Sequence, residues 1–446
     1  MKKTLGILFT LALASSAAQA ADLLGLYSEA KGYDAEFAAA RASLDAGRQR
    51  LPQGRAGLLP TVGASANTMW NESDTSLHSS AAGSLLGSAG TTAKFNSHAW
   101  TVSLTQPLFR WQNWVNYTQS ELAVAIAEAQ FAQASQDLIV RVAQSYFDVL
   151  QAQEALASAQ AQKKAIAEQL EAAKRNFEVG TSTIVDTHEA QARYDLASAQ
   201  LIAAESDLSV KRQVLRTVVG KEHEDLRSLK PGVDIPKPQP EDINQWAKQA
   251  ESANIGVQLA ESSSKIADQE ISKQRSGHLP TLDLVASRGN NSTGNNPLSF
   301  GGYDITTNTV GLQLQIPIFA GGYTASKDSE AVALHQKALA DLDSSRRGAA
   351  LQARQAYLGV TSGLAQVKAL EAALVSSQSA VDSNKLGYDV GVRINIDVLN
   401  AQSQYFDTRQ KLMKARLDTL LAQLRLKAAA GNLTEGDLKA VNALLD

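Results

Sequence analysis

Proline is missing from Leu108 to Lys230 and again from Ile318 to Asp446, and Gly180 is the one glycine between Phe109 and Val219. Proline removes a backbone hydrogen bond and glycine loosens the chain, so a stretch free of both can run on as unbroken helix. Residues 121 to 180 hold 16 alanines among Leu, Gln, Glu and Lys, which are strong helix formers. A helix from about Gln112 to Glu178 is roughly 100 Å long at 1.5 Å per residue. No compact globular domain has a use for that length. Leu122, Ile126, Ala129, Leu138, Val142, Tyr146 and Val149 recur at three or four residues, which leaves a polar face and predicts lateral, coiled-coil-like packing. A plain structural coiled coil has the same pattern.

The chain is also duplicated. GLLPTVGAS (57 to 65) is answered by GHLPTLDLV (277 to 285), VSLTQPLF (102 to 109) by LQLQIPIF (312 to 319), and LRTVVGKEHEDL (215 to 226) by LKAAAGNLTEGDL (426 to 438). Between these lie two hairpin tips, FEVGTSTIVDTHEAQARYD (177 to 195) and YDVGVRINIDVLNAQSQYF (388 to 406). From Pro107 to Gly180 is 73 residues and from Pro317 to Gly391 is 74, so the segment length is held in both halves. The organisation expected is a first structural repeat at 21–230, a Pro-rich connection at 231–242 and a second repeat at 243–446. Each repeat holds a helix, two strands and a long helical hairpin, with tips near 177–186 and 388–397. The connection reads as lying outside the helical assembly, because KPGVDIPKPQPED (230 to 242) carries four of the ten prolines and suits neither helix nor central strand.

Ahead of each long helix stand two stretches of strict alternation. Trp100, Val102 and Leu104 alternate with Thr101, Ser103 and Thr105, and Val310, Leu312, Leu314 and Ile316 with Gly311, Gln313 and Gln315. The partners are weaker: Val62, Ala64 and Ala66, then Leu282, Leu284 and Ala286. Period two with one apolar face fits a half-buried soluble sheet, and it fits the wall of an outer-membrane barrel equally. Three details favour the barrel. Joining segments at about 71–97 and 288–302 are rich in Ser, Gly, Asn and Thr, as long external loops would be. Trp70 and Trp100 flank one end of the strands, with Phe109, Trp111, Trp114 and Tyr117 at the other, as interfacial girdles would. Trp100 to Phe109 spans roughly 30 Å extended, about 21 Å along the normal at a 45° tilt. Four strands cannot close a barrel alone, so several chains must pool them.

MKKTLGILFTLALASSAAQA has the basic start, apolar run and small-residue finish of a secretory signal peptide at 1–20. Without Lys2 and Lys3, 40 basic residues face 45 acidic ones, about −5, which argues against nucleic acid or an anionic membrane surface as partner. The absence of cysteine excludes disulfides, thiolate metal sites and a cysteine nucleophile. Beyond the signal no run of about eighteen apolar residues suggests a spanning helix. The six histidines, at 78, 98, 188, 223, 278 and 335, show no paired ligand spacing, and no phosphate loop or nucleophile elbow is present. No enzyme activity, cofactor or metal is expected.

Taken together, the signal peptide, GHLPTLDL, LQLQIPIFAGG, the two tips and LKAAAGNLTEGDL resemble the TolC family of outer-membrane efflux and type I secretion ducts of Gram-negative cells, over essentially the whole mature chain. The resemblance implies an α+β membrane protein. In it, a homotrimer shares a twelve-stranded transmembrane β-barrel, four strands per chain, continued by a long periplasmic α-helical barrel of coiled-coil hairpins. It implies an outer-membrane location and an export function for proteins or small toxic compounds. The implied partners are a periplasmic adaptor and an inner-membrane transporter of ABC or RND type. A stand-alone porin and a periplasmic structural coiled coil are the alternatives; neither explains the pairing of such helices with such strands.

Aligning Gly180 with Gly391 pairs Asp186 with Asp397, Ser182 with Arg393 and Phe177 with Tyr388. The resemblance implies a gate at the periplasmic mouth in which Tyr388 and Arg393 contact Asp186 and its surroundings, and Asp397 forms a cation-attracting ring. An equally direct reading of the spacing pairs Arg393 with Asp397, four residues on. Where the family pattern has a second aspartate this chain has Asn400, so the expected field is weaker. Val179, Gly180, Thr181 and Ser182, with Val390, Gly391 and Val392, are the expected adaptor-contact tips.

Overall fold

The computed structural model describes residues 21–75, 91–223, 225–296 and 301–446. The expected signal peptide, His78 and residues 76–90 and 297–300 of the two expected loops lie outside the described residues. Contacts divide the chain into two compact units, one built from Ser43–Ala129 and Leu259–Ser344, the other from Met1–Ala42, Gln130–Gln258 and Ser345–Asp446. Two long helices, α4 (Trp111–Glu178) and α8 (Tyr323–Asp389), give residues to both.

The first unit is organised by one sheet of four antiparallel strands in the order β1 (Thr61–Thr75), β2 (Thr91–Phe109), β3 (Thr281–Asn296) and β4 (Gly301–Gln315). Register puts Val62, Leu104, Ala286 and Val310 in one row, with Leu284 opposite Leu312 and Leu282 opposite Leu314 on the same face. The opposite face carries Gly63, Ser103, Ser287 and Thr309 in its matching row. The alternation of the sequence is therefore one apolar and one polar surface. Val310 is 78% and Leu312 66% exposed, so among the described residues nothing covers that part of the apolar side. β1 and β4 are each paired along one edge only.

The strands run further than the alternation marks them: β1 continues to Thr75, β2 begins at Thr91, β3 reaches Asn296 and β4 starts at Gly301. Much of what reads as loop at 71–97 and 288–302 is thus strand. Ser, Thr and Asn lack a hydrophobic period, but their backbones pair in register, and polar side-chain links such as Asn71 Nδ2 to Ser97 Oγ (2.8 Å) run between them. Pro107, which has no N–H, stands where the register slips between β2 and β3.

At the end of β2 the chain turns into α4, and Arg110 closes that corner. Its Nε donates to Asp283 Oδ1 at 2.8 Å and its Nη2 to Oδ2 at 2.5 Å, a two-pronged pair with a carboxylate that is buried. Gln119 Nε2 donates to Glu270 Oε2 at 2.9 Å, tying α4 to α7 (Ile255–Arg275). The remaining helical pieces here are α3 (Arg50–Ala56) and part of α2 (Ala35–Arg48).

The second unit packs helices side by side. Leu138, Val142, Tyr146 and Val149 of α4 are fully buried, in agreement with the periodicity. They meet Leu23 and Leu26 of α1 (Leu23–Tyr33), Leu208 and Leu215 of α5 (Ile184–Val219), Leu420 and Leu424 of α9 (Asn395–Ala429), and Leu438 of α10 (Glu435–Asn442). Each such side chain taken from water contributes about 1.5–3 kcal/mol. Trp246 of α6 (Ile243–Ala253) joins Val360 and Leu426, and its Nε1 donates to Pro240 O at 2.8 Å, which fastens the Pro-rich connection to the helices. Residues 231–242 hold neither helix nor strand. α8 stays open on one side, with Leu351 and Leu358 exposed. It also contains an 18-residue stretch apolar enough by composition to cross a membrane, only 11% of it buried. The sequence expectation of no unbroken run of about eighteen apolar residues stands, because Gln, Ser and Thr interrupt the alanines and leucines of α8; the stretch qualifies by average composition only.

The first and last helices are joined by ions. Lys31 Nζ lies 2.7 Å from Glu435 Oε1, and Tyr27 Oη donates to the same oxygen at 3.3 Å. The Lys31 hydrogen bond, outweighing burial, holds Glu435 below the usual carboxylate range, while burial first and then Glu435 push Tyr27 up to about 12. At Glu29, burial pushes upward, but contacts from His223 (2.8 Å) and Lys221 (3.3 Å) prevail and hold it low.

Two outcomes are expected. Arg110→Ala leaves Asp283 buried without its cation and costs about 2 kcal/mol, less than a fully buried pair because Arg110 is 41% exposed. Arg110→Lys, which keeps the charge and loses the fork, falls between, as read from thermal unfolding midpoints in detergent. The depressed carboxyls stabilise the fold above the unfolded value of about 4.3 and lose that effect as pH falls through their folded values. The midpoint should therefore decline between about pH 5 and pH 3, and Glu435→Gln should flatten that decline.

Candidate functional site: the two hairpin tips

Both tips end a long helix in the same way. At the first, Val179 N donates to Arg175 O (3.1 Å), and Thr181 N and Ser182 N both donate to Asn176 O (2.8 and 3.2 Å). At the second, Val390 N donates to Leu386 O (3.1 Å), and Val392 N and Arg393 N both donate to Gly387 O (2.9 and 3.0 Å). Gly180 and Gly391 sit at φ 78° and 81°, the left-handed geometry that lets a helix stop and the next begin. Val179, Val390 and Val392 are exposed. The seven expected tip residues thus form two short, outward-facing turns.

The turns differ in how the following helix starts. Thr183 caps α5, with its hydroxyl accepting from Asp186 N (3.4 Å), and Asp186 Oδ2 accepts from Thr183 N (2.9 Å) and Thr183 Oγ1 (2.8 Å). Asp186 is therefore engaged by its own helix end. The equivalent cap of α9 is Ile394, which has no side-chain acceptor. Asp397 is consequently free of capping duty, and Arg393 Nη1 lies 3.7 Å from its Oδ2. Within the chain, then, Arg393 meets Asp397 rather than Asp186. A Cβ on Gly387 would lie 2.6 Å from Arg393 Cγ, so the arginine stem rests against the helix end through that glycine.

Tyr388 is joined to the first hairpin by a residue that the sequence did not single out: Asn176 Nδ2 donates to Tyr388 Oη at 3.0 Å. Asn400 likewise has a cross-hairpin partner, accepting from Arg193 Nη2 at 3.0 Å. Asn176 and Gly387 occupy equivalent places one residue before Phe177 and Tyr388, and only the aligned tips could have pointed to them. Further along, Arg409 Nε donates to Glu154 Oε1 (2.6 Å) and Gln162 Nε2 to Ser403 Oγ (3.2 Å), so α9 is tied to α4 by polar as well as apolar contacts. Asn395, 1% exposed, has no partner among the described residues for either polar side-chain atom. His188 takes no part in any cluster of metal-binding side chains among the described residues.

Membrane-type strands with one apolar face, followed by helices of 68 and 67 residues that end in two matching tips, define a channel-forming protein of the outer membrane. The family model described as outer membrane efflux protein matches residues 26–221 and 246–432, and the chain belongs to that family. It is 33% identical over 447 residues to the outer membrane protein TolC of Vibrio cholerae, covering 99% of this chain and 98% of that protein. It is 33% identical to the alkaline protease secretion protein AprF of Pseudomonas aeruginosa, covering 94% and 86%. Among solved structures, the Campylobacter jejuni CmeC outer membrane channel has the same fold at a TM-score of 0.76 and 16% identity, with 95% of this chain and 90% of that one covered. The protein is an outer membrane export channel, and its family and fold are those of transport channels rather than enzymes.

The capping difference makes its own prediction. Thr183→Ala should cost about 1 kcal/mol at the start of α5, whereas Ile394→Ala, which removes no cap, should change the start of α9 by a few tenths. Hydrogen exchange at residues 184–187 against 395–398 separates the two.

Proposed function

We propose that three copies of this chain form one export duct, gated at the hairpin tips, that works with a periplasmic adaptor and an inner-membrane transporter. The observation that carries this reading is the four-stranded sheet: β1 and β4 each have a free edge 15 residues long beside an uncovered apolar face. In hydrocarbon every backbone group needs a partner, so such edges must pair with another copy, and three copies give a barrel of about twelve strands. The exposed apolar positions of α8 then pack on a neighbouring chain as the wall of a helical barrel. On this reading residues 1–20 are removed on export, 21–230 and 243–446 are the two repeats, and 231–242 runs outside the helices.

Cargo follows from the relatives only as a class. One is named for alkaline protease secretion, another, the PrtF protein of Dickeya chrysanthemi at 31% identity, for protease secretion, and others for efflux. Proteins and small toxic compounds both fit a duct of this kind. The adaptor engages Val179, Gly180, Thr181, Ser182, Val390, Gly391 and Val392, the exposed turns at the end of each hairpin.

The gate is built from Tyr388, Arg393, Asp397, Asn400 and Asp186. Tyr388 is held by Asn176 and Arg393 by Asp397 within one chain, and in the assembly the arginine fork also meets the Asp186 region of the adjoining hairpin. Three copies of Asp397 put a ring of carboxylates at the mouth, where they favour cations; Asn400, occupied by Arg193, adds no charge.

Oligomer mass in detergent, paired with single-channel recording in a planar bilayer, tests the duct. A trimer passing small, cation-preferring currents is expected, and a monomer without channels would overturn it. Asp397→Asn should lower cation preference, and Arg393→Ser with Tyr388→Phe should raise conductance several-fold. Unchanged currents in both variants would place the constriction elsewhere.

A further inference from the structure

Above the apolar band, the outer face of the sheet changes chemistry within one row. Ala64 and Val102 are followed across the sheet by Arg288 and Asn308; one row towards the β1–β2 hairpin end lie Ala66, Trp100, Asn290 and Thr306, and beyond them Thr68, His98, Ser292 and Asp304. All project on the same side as Leu104 and Val310, because paired residues and every second residue share a face. Between them is a shallow recess of about 480 Å³, lined by Ala66, Thr68, His98, Trp100, Asn290 and Ser292. His98 Nδ1 lies 3.3 Å from Thr68 Oγ1, and Asn290 Nδ2 donates to Thr306 Oγ1 at 3.2 Å.

Arg288 is the unexplained member. It is exposed on the lipid side of the sheet, and among the described residues it has no ion-pair partner. The other lysine or arginine of this rim, Lys94, is paired with Glu72 at 3.0 Å; Asp74 accepts from Thr92 further along β1, and Asp304 stands in the row of Ser292, two rows from Arg288. An unpaired guanidinium facing hydrocarbon is costly unless it reaches the interface and finds an anion there. The recess lies directly beside it, one residue pair or about 7 Å along the strand. Trp100, exposed, stands in the row of Asn290, next to that of Arg288, and Trp70 lies two rows further towards the β1–β2 hairpin end.

We infer that this recess, together with Arg288 one residue pair below it, is a binding site for the phosphorylated sugar headgroup of an outer-leaflet glycolipid. The acyl chains lie along Val102, Leu104, Ala286 and Val310, the continuous apolar surface below. The headgroup phosphate takes the guanidinium fork, which suits two of its oxygens at once, and Asn290, Ser292, Thr68 and His98 offer hydrogen bonds to the sugar and phosphate oxygens. Continuity with the lipid-facing band selects a lipid rather than a soluble anion. The inference rests on the outer-membrane placement of the sheet and not on the gate or its partners.

The test is native mass spectrometry of the purified, delipidated mature protein titrated with diphosphorylated lipid A and with its dephosphorylated form. The wild-type protein should favour the diphosphorylated lipid at least tenfold, and 0.5 M NaCl should reduce that preference severalfold without any substitution. Arg288→Gln should bring the preference below threefold, Arg288→Lys should retain most of it, and Asn290→Ala should lower it about threefold. Equal binding of the two lipids by the wild-type protein would overturn the site, as would an unchanged preference in both Arg288→Gln and Asn290→Ala. Displacement of the lipid by millimolar inorganic phosphate would also overturn it, since a free-anion site would then account for Arg288.

Discussion

An unpaired backbone group has no water to turn to inside a bilayer, and that constraint governs this molecule more than any single side chain. The sheet satisfies its interior ladders within the chain and leaves both margins open, so its lipid-facing surface and its free edges are one problem with one solution. Everything else follows the same division. The polar face of Ser, Thr and Gly suits water on one side, the aliphatic rows suit lipid on the other, and the Arg110–Asp283 pair fixes the corner where strand gives way to helix. Helices of nearly 70 residues are stable there because they pack laterally on Leu138, Val142 and Tyr146, not because propensity alone suffices.

Much of this was legible in order of residues. The proline-free runs and their alanines located α4 to within one residue at its start, and the alternation around Trp100 and Val310 fixed which face of each strand is apolar. The outer halves of the strands were not legible, because residues such as Ser97, Asn291 and Thr307 carry no period and are strand only by virtue of the backbones opposite them. Arg110 and Asp283 are 173 positions apart, and nothing local marks either as the other's partner. At the tips the alignment of Gly180 with Gly391 brought the right segments together, yet Asn176 to Tyr388 and Arg193 to Asn400 depend on how two hairpins lean on each other, which no single segment contains.

The two halves also show how duplication frees a residue. Thr183 and Asp186 hold each other at the start of α5, so that carboxylate is committed to stability. With Ile394 in the capping place, the start of α9 gives up that support and its Asp397 is left to a flexible arginine. Asn395, buried beside it with no partner among the described residues, adds an unmet polar cost to that helix start. One tip thus has a side-chain cap and its copy has none, although the two turns are otherwise alike.

The open margins of β1 and β4 carry a consequence for inheritance. A wall assembled from several copies is only as sound as its worst member, because no ring can exclude a faulty chain that still presents two good edges. If three chains close the barrel, a cell making normal and faulty chains in equal amounts has about one ring in eight wholly normal. Lesions far from those edges would then behave as dominant, whereas lesions in the edges themselves would be recessive, since a chain that cannot pair never enters a ring to spoil it.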